Sequence, residues 1–222
     1  MLFRGEETPV LRALTEAWRQ GATIVAVGGG ASALSPLMIA GGSSEEALRY
    51  GVASDESHPG LLVEPGLGLF DAGILDQNLV CGHRLGRLIV ACAEEAVPFG
   101  FGLCEEAGLV VEPDRRMRVI GGQGVVMVEI DPKGLSYEDD VFAVRGVRLR
   151  LVPPHDWIGT DHLVTGNGQD RSGGLTVERL VSGLRREVKA GVTAADGAIR
   201  IRLSDVAALS GRVDIESNRF DG

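Results

Sequence analysis

Cysteine is scarce in this chain of 222 residues: Cys81, Cys92 and Cys104 form an odd set with no CxxC spacing. A disulfide framework needs paired cysteines, so none is implied, and the three read as reduced thiols in a cytoplasmic protein. Positive charge is in deficit, with 22 Lys and Arg against 31 Asp and Glu, a formal net charge of -9. Phosphate contacts need a basic surface, so nucleic acid is disfavoured as the main partner. A long apolar span is missing as well. Residues 21–44 carry no charge, but six glycines, four serines and Pro36 interrupt them, which is poor material for a membrane helix. The start, MLFRGEETPV, lacks a basic end followed by an apolar core, so no secretory signal is expected. What the chain does have is a hydrophobic fraction of 44%, enough to offset backbone ordering and exclude a disordered acidic polymer.

The initial MLF reads as a short strand end. Thr8-Pro9 supplies an N-cap and a proline at the first helical position. Val10, Leu11, Leu14 and Trp18 then recur at helical spacing and Gly21 ends the segment, so a helix is predicted there. ATIVAV (22–27) is an uninterrupted run rich in β-branched residues, the pattern of a parallel strand buried on both faces. Gly28-Gly29-Gly30 turns sharply into ASALSPLMIA, read as a helix, and strand–turn–helix is the grammar of an α/β fold. EEALRY within the polar 43–60 stretch predicts one turn of helix, and LGRLIVACAEEA (85–96) a longer one. Segments 98–111, 116–122 and 124–130 read as β-rich, and VRGVRLRLV (144–152) as a last strand with arginines facing water. Residues 153–174, rich in Gly, Asp and His, read as a linker or surface loop. In 176–189, Val177, Leu180, Val181, Leu184 and Val188 fall on one helical face, and Asp196-Gly197 predicts a turn into the strand AIRIRLS.

The glycine cluster carries the chemistry. A nucleophile elbow needs a side chain on a strained turn between strand and helix, with small residues two positions to either side. Ala26-Val27-Gly28-Gly29-Gly30 meets those steric demands, but its central residue is glycine. The bland reading is a structural turn, or a loop whose amides hold an anion at a helix start.

Four ordered segments are similar to the cyanophycinase-like serine peptidases, relatives of aspartyl dipeptidases. They are RGEE (4–7), AVGGGASALSPLMIAGG (26–42), GLGLFDAGILDQNLVCGHRLGRL (66–88) and GFGLCEEAGLVV (100–111). The family counterparts look like GGDQ, GTSAGAS followed by S..MI..G, GLGL with DQHF..R.R.GRL, and G.G.DE.TA.VV. The resemblance implies an α/β class I glutamine amidotransferase-like fold: a partial doubly wound, mostly parallel sheet with a small C-terminal α/β appendage. It divides the chain into 1–152, lacking the family's usual N-terminal portion, and 153–222, a linker plus helix and strand.

With Ser35, Met38 and Ile39 as anchors, the family's nucleophilic serine falls on Gly28, and Gly29 follows in the same turn. Its histidine falls on Asn78, whose neutral amide takes up no proton near pH 7. Its acidic member corresponds to Glu105, left with no histidine to orient. The motif's Asp76 and Gln77 are intact. Of the arginines that would bind substrate carboxylates, the first falls on Gly82 and the next two on Arg84 and Arg87. Glu6-Glu7 replaces Asp-Gln, and Glu7 would repel a carboxylate. The expectation is a catalytically inactive relative, a structural or regulatory subunit without cofactor.

The rival expectations are a divergent hydrolase of peptide or amide bonds with a relocated nucleophile, and a binding module for small anions or peptides. Ser32 is the substitute nucleophile to weigh, with Ser35 beyond it. Both are also suited to a helix cap or buried packing. Cys81-x-His83 would make a thiol–imidazole pair, but Cys81 and Cys104 read as buried free cysteines. His155, Asp156, Asp161 and His162 lack the HxxxH or paired-Cys spacing of a metal site and read as a solvated loop, so no metal is expected. Arg115, Arg116 and Arg118 read as an exposed basic turn. A parallel strand at 22–27 expects neighbours on both sides. The expected partner is therefore a protein: a second copy, or a chain supplying the missing half, unless 153–222 folds back over the gap. Neither nucleic acid nor membrane is expected as a partner.

Overall fold

The computed structural model describes residues 2–3, 6–138, 141–166, 174–190, 199–207 and 209–218. Its strands are β1 (Leu2–Phe3), β2 (Glu6–Glu7), β3 (Leu37–Gly41), β4 (Leu62–Pro65), β5 (Ile74–Asp76), β6 (Phe99–Leu103), β7 (Ala107–Val111) and β8 (Met117–Gly121). They continue as β9 (Val125–Glu129), β10 (Leu135–Glu138), β11 (Val141–Val152), β12 (Trp157–Ile158), β13 (Val164–Thr165), β14 (Ile199–Ala207) and β15 (Ser210–Asn218). The helices are α1 (Pro9–Arg19), α2 (Gly29–Ser32), α3 (Ser44–Tyr50), α4 (Leu85–Glu94) and α5 (Val177–Ala190).

The main sheet runs β14-β15-β11-β9-β6-β5, with β10 also paired to β11. The fold is α/β, but the main sheet is mostly antiparallel and not mostly parallel as expected. Within the described main sheet β5–β6 is the parallel pair, joined through α4 as a βαβ unit, and its other pairings are antiparallel. The reason lies in the connections: short turns, such as the one between β14 and β15, join only antiparallel neighbours. A smaller sheet, β13-β12-β8-β7, forms its own hydrogen-bonded ladder and packs against the main sheet through a shared core.

Val125–Glu129 explains where the two cores sit. Its run of apolar residues is buried on both faces, with Val126 and Val128 in the core beneath α3, α4 and α5, and Val125 and Met127 in a second core with Phe101, Met117, Val119 and Ile158. Alternation along the strand sends successive side chains to opposite faces. Val177, Leu180, Val181 and Leu184 of α5 and Val213 and Ile215 of β15 belong to the first core. Packing therefore runs across the boundary at 152/153.

Several local expectations change. The helix after Thr8 forms, with Thr8 Oγ1 accepting from Leu11 N at 3.2 Å, but Val10 and Trp18 remain exposed. ATIVAV forms no strand: no described strand lies beside it, and Val25 and Val27 are 81% and 83% exposed. β-branching favours a pleated surface but supplies no partner. ASALSPLMIA is helical only at its start. Pro36 cannot continue a helix, and Leu37–Gly41 pairs antiparallel with Leu62–Pro65. EEALRY lies in a seven-residue helix closed by a Ser43–Glu46 capping box. The strand over 144–152 is not the last, because β14 and β15 extend the sheet beyond it. Within 153–174, β12 pairs with β8, so that stretch is not only a loop. The Asp196-Gly197 turn and the side chain of Val188 lie outside the described residues.

One buried ion pair fastens these parts. Asp76, 0% exposed, receives Arg87 Nε at Oδ2 (2.7 Å) and Arg87 Nη2 at Oδ1 (2.6 Å), while Arg87 Nη1 donates to Gly42 O at 2.8 Å. Arg87→Ala would strand a buried carboxylate. The expected loss is about 3–5 kcal/mol of unfolding free energy, read from urea denaturation midpoints; a loss under about 1 kcal/mol would rule this brace out.

Candidate functional site

The turn at Gly28 has strained backbone angles, although no described strand leads into it. Gly28, the N-cap of α2, has φ 59° and ψ -133°, a conformation L residues enter only under strain. A Cβ built on Gly28 meets nothing within 4 Å, so a side chain here would project into open space. The position carries no hydroxyl or thiol. Gly29 is equally open and begins α2. The 66–70 segment holds the elbow's far side: Gly66 N donates to Pro36 O, Leu67 N to Ala33 O, and Leu69 N and Phe70 N to Leu34 O.

Ser32 and Ser35 point inward. Ser35 Oγ accepts from Leu75 N at 2.8 Å, tying the post-elbow segment to β5. Ser32, 2% exposed, places Oγ 2.6 Å from the Gln77 side-chain amide. With that amide turned so that its nitrogen faces Asp76 Oδ1 (3.0 Å) and Ser32 Oγ (2.6 Å), its oxygen accepts from Arg84 Nη1 (3.0 Å), and all three partners are satisfied. An amide is no general base, so this contact does not activate the hydroxyl. Asp76, Gln77, Arg84, Arg87 and Ser32 thus form one connected network. Arg84 is partly exposed, and its Nη1 lies 3.1 Å from Gln77 O. Burial, followed by the neighbouring Arg87, lowers the Arg84 pKa, while Asp76 and Glu105 act in the opposite sense.

The turn after Gln77 carries the other predicted residues. Asn78 is exposed and left-handed, with φ 52°, a region Asn enters more readily than most residues. Gly82 N closes the turn onto Asn78 O at 2.9 Å. A Cβ on Gly82 would stand 2.6 Å from Asn78 O, so the turn as built has no room for the family's arginine. Glu105 reaches this turn from beyond β6: its Oε1 accepts from Cys81 N at 2.7 Å. Its Oε2 is buried with no hydrogen-bond partner among the described residues. Glu7 lies in the β1–β2 hairpin, and no described contact brings it to this turn.

Cys81 is exposed rather than buried, because the turn faces outward; Cys104 and Cys92 are buried. The Glu105 carboxylate, aided by desolvation and a hydrogen bond, raises the Cys81 thiol pKa. Burial, aided by Glu105, pushes Cys104 up to about 12. None of the three is poised as a thiolate nucleophile. The His155–His162 stretch makes no convergent cluster. Asp161 Oδ1 accepts from Leu163 N at 3.0 Å, and the His162 ring stacks on Phe99 at 3.7 Å. No group of three or more metal-ligating side chains converges among the described residues. Of the expected basic turn, Arg118 lies in β8 instead, paired with Trp157 of β12, and Arg116 and Arg118 lie over the Trp157 ring at 5.0 and 5.7 Å. No described helix is long and apolar enough to cross a membrane.

Two features had no signal in sequence: the Ser32–Gln77 contact across 45 positions, and the Gly42 carbonyl that receives Arg87. The Glu105–Cys81 link yields a test. A raised thiol pKa means less thiolate at pH 8, so Glu105→Gln, which removes the negative charge but can keep the acceptor, is expected to speed iodoacetamide alkylation of Cys81 severalfold. Peptide mass spectrometry reads the rate, and an unchanged rate would remove Glu105 as the cause.

No family model matches the chain. Among curated proteins, the cyanophycinase of Synechococcus elongatus is 31% identical over 159 residues, covering 68% of this chain and 46% of that protein. The cyanophycinase of Trichormus variabilis is 31% identical over 135 residues, covering 60% and 42%. That of Geminocystis herdmanii is 27% identical over 154 residues, covering 66% and 53%. The chain spans about half the length of the curated relatives it matches. With this similarity extending over most of the chain, it belongs to a cyanophycinase-like family.

Proposed function

We propose that this chain keeps a cyanophycinase-like hydrolase scaffold without carrying out hydrolysis, and acts as a structural or regulatory subunit of an oligomer. The observation that carries the reading is Gly28: elbow backbone angles and open space for a side chain, with no nucleophile in it. Asn78 at the base position and the unpartnered Glu105 Oε2 support it, since a carboxylate that orients an imidazole needs the imidazole. A hydrolase with a relocated nucleophile is less well supported, because Ser32 is sealed and faces an amide. The 22–27 segment, with no strand beside it among the described residues and with Val25 and Val27 exposed, supports a protein partner that pairs with or covers it. The βαβ unit β5–α4–β6 supports descent from a doubly wound parallel arrangement. The three free thiols support a reducing, cytoplasmic setting.

Purified protein is expected to take no label from a fluorophosphonate probe and to release no soluble product from cyanophycin. Labelling that disappears in Ser32→Ala would overturn the inactive reading. Gly28→Ser is expected to fold at a cost of about 1–3 kcal/mol, the strain of a side chain at these backbone angles, measured by chemical denaturation. In sedimentation velocity at micromolar concentration an oligomer is expected. A stable monomer that unfolds cooperatively would remove the subunit assignment while leaving the elbow argument intact.

A further inference from the structure

A cleft of about 530 Å³ opens between α5 and the 79–85 turn, and none of the residues of the Ser32–Gln77 network lines it. That volume is in the range of sites for small organic molecules. Its floor is apolar: Leu79 and Leu85 from the turn, and Leu175, Leu180 and Leu184 from α5 and its approach, all buried. Its rim is polar, with His83 and Gln123 on one side and Glu178, Arg179, Ser182 and Arg186 along the helix. Arg179 and Arg186 are seven residues apart, two helical turns, and so share a face with Ser182 between them.

The arginines are only partly occupied. Arg179 Nη1 donates to Gly174 O at 2.6 Å and Arg186 Nε to Ser182 O at 3.3 Å, which leaves further guanidinium N–H groups without a partner among the described residues. Among the described lining residues, two guanidinium groups face the single Glu178 carboxylate, an excess of one positive charge on this rim, although the whole chain carries -9. Gly183 keeps the cleft open: a Cβ there would stand 3.6 Å from His83 Nδ1, so a larger side chain would fill the space under the imidazole. His83 itself is held left-handed, with φ 49°, while its carbonyl accepts from Ser44 Oγ at 2.5 Å. A non-glycine residue keeps such a conformation where its surroundings over-determine it, and such positions cluster at ligand clamps.

From the leucine floor, the arginine pair and the bare helix face at Gly183, we infer that this cleft binds a small organic carboxylate with an apolar body. The apolar part fills the floor and the carboxylate meets the arginines, whose forked donors match it in two-point geometry. A single unmatched charge favours a monoanion over a dianion. The cleft is formed by residues outside the elbow network, so its occupancy does not depend on whether the elbow is catalytic.

The test is isothermal titration of the full chain with 4-phenylbutyrate, 4-phenylbutanol and phenylphosphonate, supported by saturation-transfer NMR. The acid is expected to bind about tenfold more tightly than the alcohol, and Arg186→Gln to lose about that factor. Gly183→Leu is expected to abolish binding and Gly183→Ala to retain it, with circular dichroism reporting that each variant folds. Equal affinity for acid and alcohol, no binding at millimolar concentration, or undiminished binding by a folded Gly183→Leu protein would each overturn the proposal. Tighter binding of the phosphonate would overturn its carboxylate assignment.

Discussion

The buried Asp76–Arg87 pair is the constraint on which the rest of the site hangs. Asp76 ends β5 at the edge of the main sheet and Arg87 lies in the first turn of α4, with the Gly42 carbonyl as third corner. Taking both charges out of water is expensive, and only good geometry with further hydrogen bonds compensates. Both are present: two N–H donors to one carboxylate, and the Gln77 backbone N–H at 2.9 Å as an additional donor to Oδ1. The turn between β5 and α4 is therefore clamped at both ends. Asn78, Cys81, Gly82 and His83 inherit their places from it.

This changes the meaning of the motif that carries the family resemblance. Read as a binding motif, the intact Asp76, Gln77, Arg84 and Arg87 look inconsistent beside Gly28 and Asn78, where the resemblance would lead one to expect a serine and a histidine. In the structure, Arg87 is occupied by Asp76 and Gly42, and Gln77 bridges Ser32 and Arg84. These residues build the turn whatever chemistry it bears. Loss of Asp76 or of Arg87 would leave its buried partner unpaired, which costs more than a neutral exchange of both partners. At Gly28 the pressure runs the other way, since glycine reaches φ 59° and ψ -133° without the strain a side chain would add. Stability alone favours keeping the brace and a glycine at position 28.

Legibility in the sequence follows from how local each determinant is. α1 and α4 could be read because caps and periodicity lie within the segment, as with Thr8-Pro9. β9 could be read because a strand buried on both faces is apolar at every position. The 22–27 run was misread for the opposite reason: a strand exists through its neighbour, and the described residues place none there. Leu37–Gly41 is a short apolar run, ambiguous between helix and strand until Glu64 and Val63 are seen across from Met38 and Ile39. At the site, the turn at Gly28 could be read from its glycine cluster, whereas Asn78 and Glu105 were singled out only through the resemblance. The convergence of Glu105 on Cys81, 24 positions away, has no local trace.

The segment after 152 shows how far a local reading can miss an energetic role. Its alternating Ile199, Ile201 and Leu203 read as a strand and its leucines and valines as an amphipathic helix, so it looked like an appendage. Yet β15 pairs along most of β11, from Val141 to Arg150, and places Val213 and Ile215 in the core. α5 lays Val177, Val181 and Leu184 in the same core. Without them β11 would present a long unpaired edge, and the helix side of the sheet would lose part of its cover. An amphipathic helix reveals that it has an apolar face but not which surface receives it. Here that surface is the scaffold carrying the clamped turn, and docking against it is also what leaves a cleft between them.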